Sequence, residues 1–181
     1  MNRVQYNKNY NLKKDVTVHL PVRVNWGGGW SDTPPYCMEH GGTVLNVAIS
    51  LNGQMPIEVT IKRLDRPVIA LASTDIGSYK EFTDMEELRE CRNPSDAFAL
   101  HKAALIACGV IPVSEAVSVE ELCGRLGSGI YMNTRVIDIP KGSGLGISSI
   151  LAGACVKALF EAMDTVISDA EVFERVLAWN S

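Results

Sequence analysis

Pro140-Lys141-Gly142-Ser143-Gly144-Leu145-Gly146-Ile147-Ser148-Ser149 sets three glycines at alternate positions just ahead of a run rich in Ala, Leu and Val. Glycine reaches positive φ without steric cost and lets an oxyanion approach the backbone amides. The run from Ser148 to Met163 predicts a helix. A glycine loop feeding a helix N-terminus is an anion site, because the first-turn amides lack intrahelical partners and the dipole favours negative charge. A serine at the junction can cap the helix or hold a Mg2+ ion that bridges phosphates. The same residues also suit a plain tight turn, and the loop by itself leaves both readings open. Two other phosphate loops are excluded. No Lys-Ser/Thr pair follows the last glycine, as a Walker A loop requires. The glycine spacing and early βαβ position of the dinucleotide fingerprint are also missing.

Outward from this loop, Ile130 to Ile139 alternates Ile130, Met132, Thr134 and Val136 against Tyr131, Asn133 and Arg135, and predicts a strand. Strand, glycine loop and helix is the order that phosphate binding requires. Ala152, Gly153 and Ala154 give the helix a thin side for close packing on a sheet. Ser168 and Glu171 are spaced as a capping box for a last helix, with Val172, Phe173, Val176 and Leu177 on its apolar face.

The other segment with chemical content lies near the N-terminus. Val16 to Trp26 places Val16, Val18, Leu20, Val22 and Val24 on one parity, which predicts one half-buried strand, with an edge or bulge at Pro21. It runs into Gly27-Gly28-Gly29-Trp30-Ser31-Asp32-Thr33-Pro34-Pro35-Tyr36, then Gly41-Gly42 and an apolar strand over Thr43 to Leu51. Prolines stiffen this segment, a carboxylate can accept from hydroxyls and an aromatic ring can cover the apolar face of a sugar. A surface loop with Asp32 as a turn cap accounts for the same residues.

Between these segments, strands are predicted over Pro56–Arg63, Val68–Ala72 and Tyr79–Phe82, the first two joined by a turn at Leu64–Pro67. Thr83 and Glu86 are spaced as a capping box. Asn93-Pro94 reads as an N-cap and first helical residue for a helix over Ser95–Cys108, with His101 on its surface or half-buried. Ser118 and Glu121 cap a short helix ending near Gly124.

Composition bounds the function. With 181 residues, 46% of them apolar and 21% charged, the chain is an ordinary globular protein large enough for one well-buried core. A net charge of −4 argues against a nucleic-acid or anionic-membrane partner, and no apolar run reaches membrane-spanning length. Five scattered cysteines without a Cys-x-x-Cys pair argue against a zinc site or disulfide framework and for the cytoplasm. The three histidines lie far apart. Residues 1–14 read as a solvated leader.

Taken together, the two glycine-rich segments resemble the motifs of the GHMP kinases, the superfamily of galactokinase, homoserine kinase, mevalonate kinase and phosphomevalonate kinase. Residues 140–149 are similar to the second motif, Pro-x-Gly-x-Gly-Leu-Gly-Ser-Ser, departing from it at Ile147. Pro21–Asp32 is similar to the first motif in the variant carried by L-fucokinases, whose Gly-Gly-Trp-Ser-Asp-Thr-Pro-Pro-Tyr core stands at Gly28–Tyr36. The resemblance covers essentially the whole chain after the leader.

The resemblance implies an α+β fold, that of the GHMP kinase N-terminal domain (ribosomal protein S5 domain 2-like), with a mixed or antiparallel sheet and helices on one face. It implies an ATP-dependent sugar kinase that uses Mg2+ and phosphorylates the anomeric hydroxyl of L-fucose. Gly142, Ser143, Gly144, Leu145 and Gly146 would wrap the ATP phosphates, with Lys141 assisting. Ser148 would coordinate Mg2+, with Ser149 as second choice. Arg23 would be catalytic, stabilising charge near the reacting hydroxyl, and Trp30, Ser31 and Asp32 would form the sugar pocket. Ile147 in place of a hydroxyl residue removes one phosphate contact, a loss of tenfold or more in ATP affinity if that bond is worth about 1.5–3 kcal/mol.

The family also has a Glu near the end of the last helix and a catalytic Asp further on. Asn180 stands at the first position and the second falls past Ser181. The expectation is therefore an N-terminal kinase domain at 15–181 without its C-terminal domain, with apolar surface left on the last helix and a homodimer through that edge. A catalytically inactive sugar- or nucleotide-binding remnant is the competing reading. A heptose-phosphate kinase relative is a third, which Trp30-Ser31 disfavours.

Overall fold

Pro21 divides the alternating N-terminal segment in two. Without an amide proton it cannot continue a ladder, and the strands on either side, β1 (Val16–Leu20) and β2 (Val22–Gly27), enter different sheets. The one strand expected over Val16–Trp26 is corrected to two, while its parity holds. Val16, Val18, Leu20, Val22 and Val24 are buried or half-buried, and Thr17, His19, Arg23 and Asn25 are exposed.

The computed structural model describes residues 10–140 and 142–177. The first part of the expected leader, Lys141 and the residues from 178 onward, Asn180 among them, lie outside the described residues. Residues 10–14 are anchored rather than solvated. Leu12 is buried in the core, its amide donates to the Leu126 carbonyl at 2.9 Å, and the Tyr10 ring meets Phe160 edge-on.

After β2 come a short helix, α1 (Tyr36–His40), and β3 (Leu45–Ile49), which pairs antiparallel with β2 as a separate two-stranded ribbon. β4 (Ile57–Leu64), β5 (Ile69–Ser73) and β6 (Ser78–Phe82) follow, with a 3-10 turn at Thr74–Ile76. Then come α2 (Met85–Arg89), α3 (Ala99–Ala107), α4 (Val119–Leu126), β7 (Gly129–Val136), α5 (Ile147–Ala162) and α6 (Asp169–Leu177).

The main sheet runs β1-β4-β7-β5-β6. Only the β5–β7 pair is parallel. The turn at Leu64–Pro67 joins β4 to β5 without making them neighbours, because β7 inserts between them. Period-two alternation separates the faces. Ile57, Val59, Ile61, Ile130, Met132 and Thr134 are buried, whereas Glu58, Thr60, Tyr131, Asn133 and Arg135 line the more open side. The helices cover the apolar face: α5 packs across β1 and β4, and α3 and α6 pack on α5. Fully burying an Ile or Leu contributes about 1.5–3 kcal/mol, so this face dominates the stabilisation.

Local chemistry moves several helix boundaries. The N-cap of α2 is Asp84, whose carboxylate accepts from the Glu86 amide, and not Thr83. α3 begins at Ala99 rather than Ser95. Asn93 Oδ1 instead accepts from the Ser95 amide at 3.0 Å and Asp96 Oδ1 from the Phe98 amide at 2.9 Å, local bonds that hold the backbone in turns. The Ser118–Glu121 capping box forms as expected, and α4 runs past Gly124 to Leu126, where Gly127 closes it in the left-handed region. Ser168 and Glu171 bond reciprocally ahead of α6. On α6, Val172 and Val176 pack against the core while Phe173 and Leu177 stay exposed. The thin side at Gly153 faces α6 rather than the sheet, since a Cβ there would meet Val172 at 3.8 Å.

Candidate functional site

β7 delivers the chain to the glycine loop, and α5, starting at Ile147, one residue earlier than expected, carries it away. Gly142, Gly144 and Gly146 have φ of 78°, 74° and 67°. Among the described residues, and apart from each glycine and its chain neighbours, no atom lies within 4 Å of where a Cβ on Gly142 or Gly144 would stand. Gly142–Ser149 line a cavity of about 240 Å³. Gly146 is the N-cap of α5 and brings no side chain to bond the first-turn amides. Leu145 and Ile147 are half-buried against the core, so they anchor the loop from beneath. Ile147 therefore fills space where a hydroxyl was expected. Ser143, Ser148 and Ser149 are exposed, and among the described residues their hydroxyls have no hydrogen-bond partner.

Arg23, distant in sequence, reaches this loop. It sits on the exposed parity of β2, opposite Ala48 of β3. A Cβ on Gly146 would lie 3.1 Å from Arg23 Nη2 and 3.2 Å from its Nε. Only a glycine, with no side chain, lets the guanidinium lie against the start of α5. Among the described residues the Arg23 side chain makes no ion pair or hydrogen bond, so a strand-surface salt bridge does not account for its position. A cation beside the positive end of a helix is unfavourable by itself and becomes favourable when an anion sits between them.

The loop after β2 is closed by backbone contact. A Cβ on Gly28 would meet the Thr43 carbonyl at 1.8 Å, and one on Gly42 the Ser31 carbonyl at 2.2 Å. Ser31 staples the two arms, with its Oγ 2.6 Å from the Gly28 carbonyl, to which it donates, and the Thr43 amide donating to it at 3.1 Å. Expected as a sugar contact, Ser31 commits its hydroxyl to the loop itself. Trp30, at φ 72°, is 83% exposed, and Asp32 is exposed beside it. Asn25 lies under Gly29 and shares a strand face with Arg23. Two residues of strand advance roughly 7 Å, so one face of β2 links the arginine to the Trp30–Asp32 loop.

A second and larger cleft, of about 660 Å³, is lined by Thr74, Asp75 and residues 135–140 and ends at Pro140, where the glycine loop begins. Behind it lies a buried polar chain that the sequence reading misses. His101 is 2% exposed, not on the surface. Its Nε2 is 2.8 Å from the Ala72 carbonyl and 3.0 Å from Thr134 Oγ1. A carbonyl can only accept, so Nε2 carries the proton. Thr134 then donates to Ser73 Oγ at 3.4 Å, and Ser73 donates to Asp75 Oδ1 at 3.2 Å. Among the described residues Nδ1 is buried without a partner. Burial pushes the His101 pKa down to about 4, outweighing the Ala72 bond and the charges of Asp75 and Asp96. The signal available in the sequence was Thr134 on the apolar parity of its strand, a hydroxyl facing inward that needs a partner.

The family described as GHMP kinases N terminal domain matches residues 98–180. The chain is 39% identical over 160 residues to L-fucokinase/L-fucose-1-P guanylyltransferase of Bacteroides fragilis, covering 87% of this chain and 17% of that protein. It is 27% identical over 159 residues to D-glycero-alpha-D-manno-heptose 7-phosphate kinase of Campylobacter jejuni, covering 88% of this chain and 41% of that one. The chain thus spans about a sixth and about two fifths of these relatives' lengths. Among solved structures, the mevalonate kinase of Methanococcus jannaschii superposes with a TM-score of 0.67 at 18% identity, over 92% of this chain and 46% of that one.

Proposed function

We propose that this chain, which matches the GHMP kinase N-terminal domain family over residues 98–180 and shares its fold, forms the phosphate- and sugar-binding part of an ATP-dependent L-fucose kinase. The observation that carries this reading is the Arg23 guanidinium lying against Gly146 at the open N-terminus of α5. Sugar phosphorylation is largely positioning and electrostatics. Here a cation and first-turn amides that no side chain of the described residues caps, from two distant segments, converge on one place. The greater identity to the fucokinase than to the heptose kinase favours L-fucose.

The residues present fit a nucleotide phosphate chain. Gly142 and Gly144 leave open space where side chains would stand, and the amides at the start of α5 have no side-chain cap. Among the described residues no group of three or more His, Cys, Asp or Glu side chains is placed to hold a metal. The Ser148 hydroxyl, together with phosphate oxygens, would hold Mg2+, which neutralises charge on the transferred group. Lys141 would assist the phosphates. The cleft ending at Pro140 would take the nucleoside. Arg23 would steady negative charge as it develops at the reacting hydroxyl, Asp32 would accept from sugar hydroxyls and Trp30 would cover the sugar's apolar face.

The test is ADP release by this chain with Mg2+–ATP and L-fucose, D-arabinose, D-galactose or heptose 7-phosphate, with the product identified by phosphorus NMR. Turnover selective for L-fucose to a sugar 1-phosphate, lost in Arg23→Ala, is the expected result. Selective turnover of heptose 7-phosphate would overturn the substrate. Nucleotide binding with no turnover would leave a binding portion that transfers nothing alone.

A further inference from the structure

We propose that Asp75 reads the nucleoside of the nucleotide bound at the glycine loop, and that His101 is a positioning residue acting on it through Thr134 and Ser73. The inference rests on the nucleotide reading above and goes beyond it in naming what selects the nucleoside. Every link of the chain has a fixed direction. The Ala72 carbonyl requires the proton on His101 Nε2, which leaves Thr134 as acceptor from His101 and donor to Ser73, and Ser73 as donor to Asp75. Reversing any one bond would set two donors or two acceptors against each other. One carboxylate oxygen of Asp75 is thereby engaged. Among the described residues the other has no partner, and Asp75 lines the cleft that ends at Pro140.

A carboxylate held this way accepts hydrogen bonds and donates none. In a nucleoside the complementary groups are ribose hydroxyls and the exocyclic amine of the base. Thr74, whose hydroxyl donates to Asn133 Oδ1 at 2.7 Å, is a neutral and therefore weaker acceptor than the carboxylate. Arg135 on the same wall makes no ion pair with Asp75, so the cleft holds an acceptor and a cation that are not matched to each other. An uncharged ligand surface bearing N–H or O–H donors satisfies the first without repelling the second.

The experiment is calorimetric titration of this chain with Mg2+–ATP, Mg2+–2′-deoxyATP, Mg2+–3′-deoxyATP, the triphosphate of purine riboside (which lacks the amine) and inorganic tripolyphosphate. Asp75→Ala is expected to weaken ATP roughly tenfold or more, the loss of one charge-assisted hydrogen bond, with tripolyphosphate unchanged. The analogue lacking the donor that Asp75 reads will bind wild type and Asp75→Ala alike, which tells amine from hydroxyl. Thr134→Val, close in shape, is expected to weaken ATP several-fold and Thr134→Ser to restore it. In the Asp75→Ala background Thr134→Val should add nothing, which separates a positional effect from general loosening. If Asp75→Ala binds ATP like wild type while Ser148→Ala weakens both ATP and tripolyphosphate, the inference fails and the phosphate reading stands. If wild type binds neither, both fail.

Discussion

Replacing His101 by Gln should flatten the acid limb of the stability curve. The His101 pKa is about 4 in the folded protein against 6.5 for a free histidine, with burial as the main cause. Between these values the unfolded chain holds a proton on His101 that the folded chain does not. Stability therefore rises with pH across this window and falls as the solution is acidified from 6.5 towards 4. About 2.5 pH units at 1.36 kcal/mol each amount to roughly 3 kcal/mol. Glutamine does not titrate and can still present an N–H to the Ala72 carbonyl. The carboxylates held low by partners act in a lower window. Glu81, which Arg66 and Tyr79 hold at about 2, contributes stability that fades only as pH falls below its ordinary value of 4.5. Urea unfolding at pH 7, 6, 5 and 4 for wild type and His101→Gln is the assay. The wild type should lose about 3 kcal/mol more than the variant over that range. Parallel curves would refute the argument and mean that His101 is protonated in the folded state or accessible to water.

Two further substitutions probe the loop and the core. Gly146→Ala forces a non-glycine residue into the left-handed region and sets a Cβ 3.1 Å from Arg23 Nη2. It should cost about 1–2 kcal/mol of stability by thermal unfolding and also weaken Mg2+–ATP, whereas Gly142→Ala, strained but in open space, should carry the first cost with less of the second. Asp96→Ala removes the carboxylate 2.6 Å from Lys102 Nζ, whose side chain is only 4% exposed. Breaking that pair should cost about 3 kcal/mol in urea unfolding, and Lys102→Met in the same background should recover part of it. Failure of Lys102→Met to recover anything would mean that the uncompensated cation is not the source of the cost.

Much of this architecture is legible in the sequence where a residue's role is local. Period-two alternation marks β1, β2, β4 and β7, and the Ser118–Glu121 and Ser168–Glu171 boxes fix the starts of α4 and α6, because capping involves atoms three residues apart. The glycine loop is legible as a strand–loop–helix junction for the same reason. Asn93-Pro94 misleads, since the Asn93 side chain stabilises a turn as readily as a helix start. The insertion of β7 between β4 and β5 depends on pairing between distant segments, which no local pattern states. In the candidate site, the family resemblance alone singles out Arg23, and its place against α5 depends on a positive-φ glycine far along the chain, which no local pattern states. Ser31 reads as a ligand group because its role as a staple depends on Thr43, beyond the loop's turn. His101 reads as a surface residue because its partners, Ala72 and Thr134, come from two other strands.

Arg23 and the glycine loop are proposed to form one phosphate site. Calorimetric titration of Mg2+–ATP into wild type and Arg23→Ala, with thermal unfolding of both, tests it most directly. The Arg23 side chain has no hydrogen bond or ion pair to lose among the described residues, so an unchanged melting temperature is expected, with ATP binding weakened roughly tenfold or more. Equal affinity in the two proteins would contradict it.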